Sequence, residues 1–333
     1  MMRDRLLAAG KEEFVAILKD DALTLDLIQE GRETALRVFG NIIYVRGLIE
    51  ISSFCKNNCL YCGIRRGNKN VARYRLTKDE ILEAAHIGYQ NGIRTFVLQG
   101  GEDAYFTDGI LEDIVRTLKE TYPDCAVTLS MGERTETSYK ILRDAGADRY
   151  LLRHEAAAEA LYNRLHPSEM RLGTRLTCLK TLKKLGYQTG AGFMVGAPTQ
   201  TMEDIAGDIL FLKDFCPAMI GVGPFIPHTD TPFKNEAAGS VDLTVKILAI
   251  LRIMHPRVLL PATTALATID KKGREKAILA GANVVMPNLS PESVRGQYAL
   301  YNDKAFETIA ALTKSIENIG YKTVVTRGDY KYV

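Results

Sequence analysis

The segment Phe54-Cys55-Lys56-Asn57-Asn58-Cys59-Leu60-Tyr61-Cys62-Gly63 follows directly on a β-rich run over residues 42–52. Its three cysteines are spaced C-x3-C-x2-C, and Tyr61 stands just before the third. A loop this short can wrap three thiolates around one face of a cubane. A 4Fe-4S cluster has four irons, so one iron is left without a protein ligand. Such an iron can take a small molecule, much as an open zinc position permits catalysis. Zinc is the competing reading. A structural zinc site closes on four ligands, usually through a second pair further along. Here the nearest histidine is His86, and no second cysteine pair follows. The loop points to one 4Fe-4S cluster on Cys55, Cys59 and Cys62.

Outward from this loop the chain alternates strand and helix. Thr77-Lys78-Asp79-Glu80 is a capping box and opens a helix running to residue 91. Gly92 closes it, and residues 94–99 read as the next strand. The same unit of glycine then strand recurs: Gly146 before 148–154, Gly186 before 187–195, Gly281 before 283–286 and Gly320 before 322–325. Glycine just past a helix end turns the chain into the next element. Residues 126–130, 219–225 and 258–264 supply further strands. Strands alternating with helices imply parallel βαβ units. Eight precede the one at 322–325, so the expected fold is α/β, a closed (βα)8 TIM-type barrel. Residues 2–38 read as an N-terminal helical extension, with Leu23, Leu25, Leu27, Ile28, Ala35 and Val38 at helical spacing. It serves either as a cap across a barrel end or as a docking extension without an active-site role.

In such barrels function gathers at the C-terminal ends of the strands. Polar or sulfur-bearing residues stand at each expected strand end: Gln99-Gly100-Gly101-Glu102, Thr128 and Ser130, Arg153-His154-Glu155, Met194, Pro227-His228, Thr263-Thr264, and Met286 with Asn288. The cysteine loop follows the first strand, so it shares that rim. Gly100 and Gly101 allow either a tight turn or close approach of a ligand to the backbone. Arg153 and Glu155 offer a cation and an anion to a ligand, or a rim salt bridge. His228 follows a stiff Pro-Phe-Ile-Pro turn and reads as structural at least as readily as functional.

Composition narrows the classes. The 333 residues are 46% hydrophobic and 25% charged, which suits a globular chain with a large core. A net charge of +3 gives no reason to expect nucleic acid as a partner. No membrane span is expected, because Arg252 and His255 break the longest apolar run. The N-terminus lacks a signal-peptide core, and six cysteines in a chain of this length make no disulfide framework. Cys125, Cys178 and Cys216 read as small buried hydrophobes. A cytoplasmic location is expected.

The cysteine spacing resembles the signature of the radical S-adenosylmethionine (SAM) enzymes. In that family the open iron is chelated by the methionine part of SAM, and an electron from the cluster yields a 5'-deoxyadenosyl radical. The resemblance narrows further. The run from Cys55 continues as Ile64-Arg65-Arg66-Gly67-Asn68-Lys69-Asn70 and Arg73-Tyr74-Arg75. With Tyr150-Leu151-Leu152-Arg153-His154-Glu155, Gly190-Ala191-Gly192-Phe193-Met194-Val195-Gly196, Gly223-Pro224-Phe225-Ile226-Pro227-His228 and Pro261-Ala262-Thr263-Thr264, it is similar to the HydE family of FeFe-hydrogenase maturases. That likeness spans nearly the whole chain from residue 41. It implies a radical SAM core over 41–262, a helical extension over 1–40 and a part completing the barrel over 263–333. It implies one 4Fe-4S cluster and SAM as cofactors, and a small cysteine-bound iron carbonyl cyanide complex as substrate, attacked at sulfur by the adenosyl radical. Transient contact with HydG- and HydF-type maturases is also implied. Gly100-Gly101-Glu102 would bind the methionine amine, and Gln99, Glu155 and Arg175 would contact SAM. Thr128, Arg153, Thr263, Thr264, Met286, Tyr298 and Tyr301 would line the inner cavity and act on the substrate. Some family members carry further cysteines near the C-terminus, but residues 297–333 have none here. The alternatives are a related enzyme, methylornithine synthase or biotin synthase, and a carrier that holds an iron complex without turnover.

Overall fold

The strand beginning at Ile42 is the seam on which the molecule closes. The computed structural model describes residues 2–331; Met1, Tyr332 and Val333, at the tips of the two expected end segments, lie outside the described residues. The first strand runs Ile42–Val45 and then Gly47–Ser52. Parallel to it follow Thr95–Gly100, Ala126–Ser130, Arg149–Leu151, Gln188–Ala191 and Met219–Ile220, each paired with the last. A bridge from Met219 to Leu259 adds the seventh position, and one from Pro261 to Val284 adds the eighth. Val284–Val285 returns to Tyr44 and Val45, and Leu48 bridges Asn288. The ring is a closed (βα)8 barrel. The seventh strand is shorter than expected: residues 258–264 hold only those two bridges, and Thr264 already opens the helix Thr264–Ile269.

Local chemistry sets the element ends. Thr77 and Glu80 form the expected capping box, and Thr107, Thr135, Thr201, Ser240 and Thr308 cap five more helices through their hydroxyls. All five glycines read as helix ends have positive φ, from 79° at Gly92 and Gly186 to 110° at Gly146. Side chains with a Cβ avoid that region.

The N-terminal helices, Met2–Ala8, Lys11–Lys19 and Thr24–Phe39, dock on the outside of the barrel against Met202–Phe215 and Val241–Met254. A Cβ on Gly31 would lie 2.7 Å from the Ala280 carbonyl oxygen, so the contact needs glycine. Val241–Met254 is covered almost all round. Its Lys246 is buried because Nζ donates to the Leu18 and Asp20 carbonyls, at 3.1 and 2.7 Å. This is the docking extension, not the cap, since no residue of those helices lines the cavity described below.

At the opposite mouth, Lys322–Val324 pairs with Ile42–Tyr44, and residues 326–330 fold across the strand starts. Thr95 Oγ1 donates to Arg327 O at 2.8 Å, and Arg149 lies 2.6 Å from Asp329. The barrel therefore has one plugged end, and the cysteine loop stands at the other. Cys125 and Cys178 are buried as expected, but Cys216 is exposed. It is the C-cap of Met202–Phe215 with φ +46°, which turns it off the helix and away from the core. No helix of the described residues is long and apolar enough to cross a membrane.

Candidate active site

The cysteine loop leaves the first strand at Ser52 and is held largely by main-chain contacts. Lys56 N–H donates to Glu102 O, Leu60 N–H to Leu165 O and Gly63 N–H to Leu300 O, each at 2.9 Å. The Arg73 guanidinium gathers the carbonyls of Ile64 and Arg65, both at 2.7 Å, together with those of Ser53 and Asn68. Arg75 pairs with Asp103 at 2.7 Å and stacks 3.9 Å over the Phe54 ring. The basic run after the cysteines is thus a belt around the loop.

Gly101 contributes by lacking a side chain. A Cβ there would stand 2.2 Å from Phe54 O and 2.6 Å from Cys55 Cβ. Gly101 therefore admits the cysteine loop itself against the end of the second strand. We expect Gly101→Ala to fold but to lose most of the iron taken up on anaerobic reconstitution, measured by iron and sulfide analysis beside circular dichroism. Gly63 is filled likewise: its Cβ position lies 2.4 Å from the His228 ring. His228 is a packing brace for the loop and does not line the cavity.

All three thiols are partly exposed toward one cavity of about 350 Å3. Burial pushes each thiol up, Cys62 to about 12, so the thiolates need a metal to form at neutral pH. Backbone N–H groups of Asn57 and Glu102 oppose this at Cys55, and that of Ile64 opposes it at Cys62. Among the described residues no three His, Cys, Asp or Glu groups converge on one ion. A cubane does not ask for that, because each thiolate takes a different iron.

Every residue that the family resemblance placed at the site lines this cavity except Thr128; of the other rim positions, His154, His228 and Asn288 do not line it. Thr128 faces inward one layer below Ser130, which does line it, and is fully buried with Oγ1 unpartnered. Gln99 Nε2 donates to Tyr298 OH at 3.4 Å. Glu102 is held by Lys56 at 3.1 Å and by the Glu133 N–H at 2.9 Å. Arg175 lies 2.5 Å from Glu133 and donates to Arg153 O at 2.7 Å, so it positions the neighbouring strand end as well as reaching the cavity.

The segment Arg153-His154-Glu155 divides its side chains between two faces. His154 points outward to Asp208, 3.1 Å away, where both are fully buried. Arg153 and Glu155 both point into the cavity. Glu155 has φ +66°, a conformation costing a non-glycine residue roughly 1–3 kcal/mol. Arg153 Nη2 lies 2.9 Å from Glu155 Oε2, close enough for charge attraction but without hydrogen-bond geometry. Arg153 Nε and Nη2, Glu155 Oε2 and Thr263 Oγ1 are consequently buried without hydrogen-bond partners. The sequence reading did not find Glu133, or the ion pair of Glu50 with Lys304 in the same cavity. Glu50 had a signal: a lone acid inside an apolar strand. Lys304 had none.

The fold and the thiol loop define a radical SAM enzyme. The profile of the Radical SAM superfamily matches residues 49–212, which span the cysteine loop and five of the eight strands. The FeFe-hydrogenase maturase subunit HydE of Thermotoga maritima is 44% identical over 96% of this chain and 95% of its own, and the chain belongs to the HydE family. The 3-methylornithine synthase of Methanosarcina barkeri is 29% identical over 89% of the chain and 84% of its own. A crystal structure of methylornithine synthase shares the fold, with a TM-score of 0.85, 24% identity and 97% of each chain covered. The cofactors of this class are a 4Fe-4S cluster and SAM. The donor set fits them, with three thiols on one loop and, beside it, an acid and a guanidinium whose facing atoms lack hydrogen-bond partners.

Proposed function

We propose that this chain works in assembly of the FeFe-hydrogenase H-cluster, on a small cysteine-bound iron carbonyl cyanide complex. The observation that carries the reading is the set of buried donors without hydrogen-bond partners inside the cavity, Arg153 Nε and Nη2 and Thr263 Oγ1. Buried donors without acceptors are costly, and a compact anion with several acceptor atoms completes them. A cavity of about 350 Å3 holds such a ligand and has no room for a folded macromolecule.

When bound, the cluster and SAM supply a 5'-deoxyadenosyl radical. Cys55, Cys59 and Cys62 hold the cluster. Gln99, Gly100, Gly101, Glu102, Glu155 and Arg175 orient SAM at the mouth. Arg153, Thr263 and Thr264 hold the anionic complex, while Met286, Tyr298 and Tyr301 exclude water around it. Thr128 supports this layer from beneath. Supply and hand-over of the complex call for transient contact with HydG- and HydF-type maturases.

The test is direct. Reduced, reconstituted protein given SAM and the complex should cleave the one and consume the other. Arg153→Ala should impair consumption of the complex more than uncoupled cleavage of SAM. A chain that binds the complex without cleaving SAM is a carrier. One that cleaves SAM and returns the complex unchanged acts on something else. Either result sinks the proposal.

A further inference from the structure

We propose that Glu50 and Lys304 form a receptor for the ammonium and carboxylate of an amino-acid moiety inside the cavity. The proposal rests on the function above only for the identity of that moiety, a cysteine whose sulfur carries the iron.

Glu50 lies on the inward face of the first strand, and Lys304 comes from the irregular segment beyond the helix Glu292–Arg295. Their side chains are 1% and 10% exposed and are joined Nζ to Oε1. Both line the cavity. Moving two charges out of water costs more than their attraction returns unless the remaining donors and acceptors are also met. An apolar pair of equal size would tie the segment down at least as well. Here the ion pair lines the cavity, where a ligand can meet what the two partners leave open.

The unused valences show which ligand. An ammonium has three N–H donors, and a carboxylate accepts about four hydrogen bonds. Lys304 Nζ serves Glu50 and, at 3.4 Å, Tyr298 O. Glu50 accepts from Lys304 and, at 2.7 Å, from Asn288 Nδ2. One donor and two acceptor positions are left. A zwitterion fills both kinds, its carboxylate on Nζ and its ammonium on Glu50, so that the four charges alternate. A simple anion leaves Glu50 unmatched, and a simple amine leaves Lys304 unmatched.

The pair also shares a chamber with the chemistry. Tyr298 lies within electrostatic reach of both Glu50 and Cys62, and Tyr301 of both Glu50 and Arg153. The chamber then has two poles. Arg153 and Thr263 face the carbonyl and cyanide ligands, and Glu50 with Lys304 takes the amino-acid end.

Calorimetry on anaerobically reconstituted, SAM-saturated protein tests this with three thioethers that carry no thiolate to compete with SAM for the iron. S-methyl-L-cysteine should bind about tenfold or more tighter than 2-(methylthio)ethylamine, which lacks the carboxylate, and 3-(methylthio)propionate, which lacks the ammonium. Lys304→Met should bind S-methyl-L-cysteine no better than the amine. Glu50→Gln should bind it no better than the acid. Equal affinity of the wild-type chain for all three ligands, or no binding at all, overturns the proposal even if a variant fails to fold. So does a folded variant that keeps the full preference. None of these ligands contains iron. Failure of the iron complex to react would thus overturn the proposed function and leave this result standing.

Discussion

Cys59→Ala protein, reconstituted anaerobically, should come out folded and without a cluster. Each of the three thiolates takes one iron, and two cannot retain a cubane whose fourth iron is already free of protein. Wild-type chain should hold about four irons. The barrel itself should tolerate the change. Burial raises the Cys59 thiol well above its ordinary range, so without metal it is protonated and behaves as a small apolar side chain beside Met170, 3.8 Å away. Circular dichroism should match the wild type while the visible absorption of the cluster vanishes. Cys216→Ala is the matching control: that thiol is exposed at a helix end on the barrel's outer surface, and its loss should leave the iron count unchanged. Iron near four per chain in Cys59→Ala would mean that another side chain ligates the cluster. Iron near eight in the wild type would reveal a second cluster.

What the sequence made legible follows from how local its cause is. The capping box at Thr77 and the glycines at 92, 146, 186, 281 and 320 act within a few residues of themselves, so pattern reading found the helix ends. Counting strands then led to the barrel, and the barrel rule led to the rim. Depth along a strand was less legible. Thr128 and Ser130 share a face, but only the folded structure shows that the cavity floor falls between them. Causes that cross the chain were not legible at all. Gly101 is required by Phe54 and Cys55, nearly fifty positions earlier. Glu50 meets Lys304 across 254 positions, from a segment with no periodic pattern. His228 could be read as structural or functional because a lone histidine carries no sign of its neighbours; its neighbour is Gly63. Cys216 was misjudged for the same reason, since a general preference of cysteine for the core says nothing about a left-handed helix cap.

Glu155→Gln should weaken SAM binding by about ten- to a hundredfold while the cluster stays at wild-type content. The expectation starts from the backbone. Glu155 is held at φ +66° by its place beyond the fourth strand, with its N–H on Gly192 O at 3.0 Å and a bridge to Phe193. That strain turns Glu155, like Arg153 two residues before it, into the cavity. There Oε2 is buried with no hydrogen-bond donor, although the Arg153 charge stands 2.9 Å away. A carboxylate kept in that state is poised for donors that arrive with a ligand, and the ribose hydroxyls of SAM are such donors. Glutamine keeps the length and the strained backbone, removes the charge and turns one acceptor oxygen into a donor. Losing one hydrogen bond to a charged group costs roughly 1.5–3 kcal/mol, which is the stated range in affinity. Equilibrium dialysis on reconstituted protein measures it, with the cluster absorption as the internal control. Unchanged affinity would reduce Glu155 to a counter-ion for Arg153. Loss of the cluster together with SAM would show that the residue acts on the cysteine loop instead.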